Sequence, residues 1–234
     1  MIAPVTRLGL AIAVLIAGAP AFAAERGYTV TDFDRIELVG PFVVTVETGK
    51  APSVRATGAA TAIDRLRIDQ RGRMLRISVN AGGWGGWPGE RPPVPTIRVT
   101  VPGLRDASVN GGGKLAITKM RAQLVRLSVS GSGELSVSGL ETDRLSATML
   151  GSGSFVLGGK AQTGRVTNEG SGSIKGDALI VGNVDLVSNS AGPSTVGSNK
   201  TAKVHSTGSG TVTILGKPAC SVTAVGSGEV VCGP

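Results

Sequence analysis

Leu127-Ser128-Val129-Ser130-Gly131-Ser132-Gly133-Glu134-Leu135-Ser136-Val137 sets an apolar residue at every second position on both sides of a Gly-Ser-Gly tripeptide. Alternation with period two is what a strand with one buried face requires, so the segment reads as strand, corner, strand. Comparable small tripeptides stand at Gly111-Gly112-Gly113, Gly151-Ser152-Gly153, Gly170-Ser171-Gly172, Ser190-Ala191-Gly192, Gly208-Ser209-Gly210 and Gly226-Ser227-Gly228. Their first residues, at 111, 131, 151, 170, 190, 208 and 226, are separated by 20, 20, 19, 20, 18 and 18 positions. A period near nineteen is the mark of a coiled repeat.

Side chains at fixed offsets from the tripeptide test that reading. Two residues after it come Leu115, Leu135, Phe155, Ile174, Ser194, Val212 and Val230, and four residues before it come Ala107, Leu127, Ala147, Val166, Leu186, Val204 and Val222. Four after it come Ile117, Val137, Leu157, Gly176, Val196, Ile214 and Cys232. These columns are almost wholly apolar, whereas the column led by Ser108, Ser128, Thr148 and Thr167 is a polar ladder. Asn168, Ser188 and Ser194 depart from the apolar rule and mark soft spots or water sites.

Glycine-rich corners also serve antiparallel meanders. A meander needs only local alternation, however, whereas columns kept in phase over nineteen residues require each coil to lie on the next. The expected fold is therefore all-β: a right-handed parallel β-helix, or solenoid, of seven turns from about Leu104 to the end, with an irregular β cap before it. Within residues 24–103, strands are expected at Ser53–Thr57, Leu66–Asp69, Leu75–Val79 and Ile97–Val101, and Ile36 to Val46 reads as one more coil in miniature. This segment caps the rod or begins it, continuous with the repeats, since an open solenoid end exposes core and edge groups.

Residues 1–23 read as a signal peptide: Arg7, an apolar run from Leu8 to Ile16, and a small-x-small site giving cleavage after Ala23. The run is too short to span a bilayer and no later segment offers another candidate. The mature chain is thus expected to be periplasmic or secreted, with no transmembrane segment. Losing Arg7 leaves 23 basic against 16 acidic residues, a formal charge of +7. The basic residues are scattered and aromatics make up only 3% of the chain, so no stacking platform exists and nucleic acid is not an expected partner.

Few residues nominate chemistry. Cys220 and Cys232 both fall in inward columns of the last coil, as a disulfide closing it or as two buried thiols. His205, the sole histidine, stands in the polar ladder and reads as solvated. No His/Cys cluster suits a metal, and no cofactor motif occurs: the glycines lack both the aspartate of calcium-binding repeats and the Lys-Ser/Thr of a phosphate loop. Trp84 and Trp87 share a Gly/Pro-rich stretch, either as exposed platforms for a sugar or partner, or as indoles folded back on the body. Glu134 and Glu229 share an outward column but stand five coils apart, about 24 Å at about 4.8 Å per coil. A glycosidase pair needs roughly 5–9.5 Å. No catalytic residue is nominated.

Phe33-Asp34-Arg35-Ile36-Glu37-Leu38-Val39-Gly40-Pro41-Phe42-Val43-Val44-Thr45-Val46, the step Val101-Pro102-Gly103-Leu104, and the Gly-Ser-Gly repeats running to Gly233-Pro234 together resemble the auto-transporter adhesin head GIN domain family. The resemblance implies an exported bacterial β-helical domain with adhesion proposed for it. The expected function is thus non-enzymatic: presentation of a rigid surface to a protein or glycan. A carbohydrate-active enzyme and a structural or self-associating envelope module are the alternatives. The sequence specifies neither partner nor oligomeric state.

Overall fold

The computed structural model describes residues 24–80 and 94–233. The strands are β1 (Ala24–Tyr28), β2 (Arg35–Val39), β3 (Val43–Thr48), β4 (Ser53–Gly58), β5 (Leu66–Arg71), β6 (Met74–Val79), β7 (Thr96–Val101) and β8 (Asp106–Asn110). They continue as β9 (Lys114–Gly131), β10 (Glu134–Gly151), β11 (Ser154–Gly170), β12 (Ser173–Ser190), β13 (Ser194–Ser206), β14 (Val212–Leu215), β15 (Ala219–Ala224) and β16 (Val230–Cys232). One short helix, α1 (Ala60–Asp64), joins β4 to β5.

From β8 onward every pairing is parallel, and each long strand lies beside the one a coil away: Leu115↔Leu135↔Phe155↔Ile174↔Ser194↔Val212↔Val230. The columns read from sequence are therefore the ladder register itself, and an antiparallel meander is excluded. The solenoid makes about six turns rather than seven. Seven tripeptides are seven corners, and seven corners bound six complete turns.

The corners form as glycine permits. Gly151 takes φ +116°, and a Cβ there would meet the Gly131 carbonyl oxygen at 2.7 Å, so both the bend and the closeness of the coils demand glycine. The middle serines act differently from the local capping that their type suggests. The backbone N–H of Ser152 donates to Gly131 O at 2.9 Å, while among the described residues no Ser132, Ser152 or Ser171 hydroxyl makes a bond within the chain.

The interior is a stack of aliphatic side chains from Phe33 to Ile214, nearly all fully buried. Fully burying each Val or Leu contributes about 1.5–3 kcal/mol, and each coil gains it only against its neighbours. Toward the C-terminal end the core turns polar, with Asn168, Ser188, Ser190, Ser194, Ser198 and Ser206 buried. Asn168 Nδ2 donates to Ser194 Oγ at 2.9 Å and to Gly172 O at 3.0 Å. Two departures from the apolar columns thus bond to each other through the Asn168 amide N–H, while the buried Asn168 Oδ1 has no partner. The hydroxyls of Ser188 and Ser206 have no partner.

The N-terminal layers do not follow chain order. β2 lies between β6 and β8, and β3 between β7 and β9, all parallel. Outside them the direction reverses: β5 is antiparallel to β6, β4 to β7, and β1 to β4. The helix connecting β4 and β5 buries Ala62 and Ile63. These outer strands carry paired charges, with Arg26–Asp64 at 2.7 Å and Arg55–Glu25 at 3.0 Å, which makes their edges poor templates for another chain. No helix among the described residues is long and apolar enough to cross a membrane.

Candidate functional site

Each coil turns at the small tripeptide and again within the equivalent of residues 118–124, where the pairing of β9 with β10 lapses at residues 118 and 123. The tripeptide corner is regular at Gly111, Gly131, Gly151 and Gly170, whose φ values lie between 106° and 117°. The second corner is not, and the register shifts gather there: Val137/Leu140 opposite Leu157/Gly159, and Val181/Asn183 opposite Ser198/Thr201. In the latter, Asn199 and Lys200 together oppose the single residue Gly182, a β-bulge that re-aims side chains. Gly182 approaches the coil below so closely that a Cβ would meet Gln162 O at 2.5 Å.

Along this irregular edge runs an open groove of about 740 Å³. One row of its lining is Arg121, Glu141, Lys160 and Ile180, each in register with the next and one coil further along the axis. Beside it stand Gln123, Asp143, Gln162 and the bulged Asn199 and Lys200.

The acids of the groove are already engaged. Glu141 accepts from Lys119 Nζ at 2.9 Å and pairs with Arg121. The Lys119 hydrogen bond, with the Arg121 charge beside it, holds the Glu141 carboxyl below its usual range. Asp143 accepts from Gln162 Nε2 at 2.7 Å. Lys160 and Lys200, by contrast, make no ion pair among the described residues, and Ile180, in register with Lys160, is 46% exposed. A general acid must carry a proton near working pH, and Glu141 is held in the opposite state. Among the described residues no group of His, Cys, Asp and Glu is arranged to hold a metal. The arrangement suits binding.

A second concavity, of about 620 Å³, lies in the N-terminal layers. There Arg67 pairs with Asp69 at 2.6 Å and Arg76 with Glu37 at 3.3 Å, so much of its charge is spent internally.

Cys220 and Cys232 meet in the last coil with Cα atoms 6.6 Å apart, within the span a disulfide bridges. They stand over the inward positions Ala202 and Ile214. His205 is exposed on the ladder. Glu134 faces Lys114 at 3.6 Å. Trp84 and Trp87 lie outside the described residues, in the connection between β6 and β7. Cys220, Cys232, His205 and Glu134 do not line the groove. Sequence reasoning missed the groove because its residues share no repeating type, although the changes of period from 20 to 19 and 18 point to indels at a corner other than the tripeptide.

A model of the family described as "Putative auto-transporter adhesin, head GIN domain" matches residues 32–218. Among solved structures, a putative adhesin from Bacteroides fragilis superposes with TM-score 0.82 at 20% identity, covering 91% of this chain and 97% of its own. A putative lipid binding protein from Parabacteroides distasonis gives 0.72 at 21% identity, with the same coverages of 91% and 97%. A putative adhesin from Parabacteroides merdae gives 0.64 at 20% identity, again over 91% and 97%. At such identities the likeness is one of fold. No curated protein matches the sequence.

Proposed function

This chain belongs to the auto-transporter adhesin head GIN domain family, and from that premise we propose that it is an exported, non-enzymatic module holding a protein or glycan ligand in the groove between Arg121 and Lys200. The observation that carries the reading is the charge state of the groove. Glu141 is neutralised by Lys119 and Arg121 and Asp143 is hydrogen-bonded by the uncharged amide of Gln162, while Lys160, Lys200 and the amides of Gln123 and Asn199 are left to face a ligand. Parallel ladders hold the row Arg121, Glu141, Lys160 and Ile180 in fixed register, so little ordering entropy is lost along it when a ligand arrives. The charged and amide side chains of the lining favour a hydroxyl-rich or charged ligand over the lipid named in the description of the Parabacteroides distasonis structure.

The test is binding of the protein to glycan and protein arrays, followed by mass analysis of the released ligand. Retention of an unaltered ligand, weakened by the double substitution Gln123→Ala and Asn199→Ala, is expected. New reducing ends or unsaturated uronides would establish an enzyme instead, and binding indifferent to the groove substitutions would move the site elsewhere.

A further inference from the structure

We propose that the ligand of this groove is an extended acidic polysaccharide, lying along the solenoid axis. The proposal rests on the groove being the binding site and specifies what enters it. Lys160, Ile180 and Lys200 belong to three successive coils, β11, β12 and β13. At about 4.8 Å per coil, Lys160 and Lys200 are two coil rises apart, about 10 Å along the axis. Lys200 lies three residues round its coil from Gly197, the register partner of Ile180, so the two cations stand on adjoining rows of the groove. An extended glycan running along those rows presents its carboxylates to both lysines. Gln123 and Asn199 supply donors and acceptors for hydroxyls along the same path.

Charge supports the same class. Lys119, Arg121, Lys160 and Lys200 outnumber Glu141 and Asp143 at this edge, and the acids are engaged from within the chain, so the residual field attracts anions. A peptide has less to gain here. The backbone on either side of the groove is paired coil to coil, which leaves no free edge for strand addition.

Hyaluronan oligosaccharides, which bear a uronate on every second ring, are the probe. Titration calorimetry compares them with their carboxyl-reduced counterpart, with dextran and with polyglutamate, at low and high salt. Hyaluronan is expected to bind, and carboxyl reduction to weaken it about ten-fold or more, as loss of hydrogen bonds to charged groups does. Lys160→Ala and Lys200→Ala are each expected to weaken it about ten-fold and to flatten its salt dependence, whereas Lys217→Ala, outside the groove, leaves it unchanged. These side chains are on the surface, and thermal melts confirm folding of each variant.

Equal binding of the carboxyl-reduced polymer, still lost on groove substitution, would overturn the acidic class and leave the groove reading standing. Polyglutamate binding as tightly as hyaluronan would overturn the polysaccharide in favour of an acidic protein segment. Binding unaffected by either lysine substitution would overturn both the ligand class and the groove, and no binding of any acidic polymer would overturn the ligand class.

Discussion

Asn168 shows how a single residue can be misplaced by one rule and placed by another. Its column demands an apolar side chain, as at Val109, Val129 and Met149, yet it is fully buried with an amide that reaches Ser194, itself the departure from a neighbouring column. Each polar residue would be costly alone; together they share one buried hydrogen bond, although Asn168 Oδ1 stays without a partner. Asn168→Leu leaves the Ser194 hydroxyl without its donor, and Ser194→Val leaves the amide short of an acceptor. Each is expected to destabilise the protein by about 1–3 kcal/mol, with the double substitution costing less than the sum. Urea unfolding of the four proteins checks this, and strict additivity would show that the contact contributes nothing. The sequence made both departures legible individually. Their partnership was not, because residues 26 positions apart on adjacent inward columns meet only once the coil spacing and rotamers are fixed.

Among elements, the two corners of a coil differ in what they tolerate. Gly151→Ala forces a side chain to positive φ and against Gly131 O, whereas Ser152 beside it is exposed and its hydroxyl bonds to nothing among the described residues. Gly151→Ala is expected to lose about 1–3 kcal/mol, and Ser152→Ala to stay within about 0.5 kcal/mol, in thermal unfolding. Comparable losses would mean that the corner is held by the serine after all. This contrast explains what could be read in advance. Strands and tripeptide corners repeat because every coil solves the same packing problem, and their periodicity survives in the sequence. The second corner accepts insertions at its solvent-facing positions, so Asp177 and Ala178, beside the buried Leu179 where Gly176/Ile180 stands opposite Val196/Gly197, leave no periodic trace. The groove sits at that corner, and so the fold was far more legible than the site.

The two ends of the whole molecule are finished differently. At one, antiparallel layers and α1 turn charged strands outward. At the other, the last described coil leaves apolar side chains exposed, with Val222 of the inward column 44% accessible and Val225 at the corner 76%. We propose that the Cys220–Cys232 pair is oxidised in the exported protein and ties this coil shut. Intact-mass analysis should then show a gain of about 2 Da on reduction, and reduction should cost about 3 kcal/mol for a loop of this size in the chain-entropy model. An unchanged mass would leave two thiols.

The sandwiching of β2 between β6 and β8, and of β3 between β7 and β9, also constrains the order in which the chain can fold. A solenoid stacked in chain order could wind up progressively as it emerges from an export channel. Here the earliest strands must wait for partners some 40 and 70 residues downstream, Ile36 for Leu75 and then for Ala107. Closing those long loops comes before any reward, which makes the N-terminal block a slow nucleus with high contact order. Once it has set, every later coil needs only the one beneath it, and growth toward the C-terminus becomes a local, zipper-like addition.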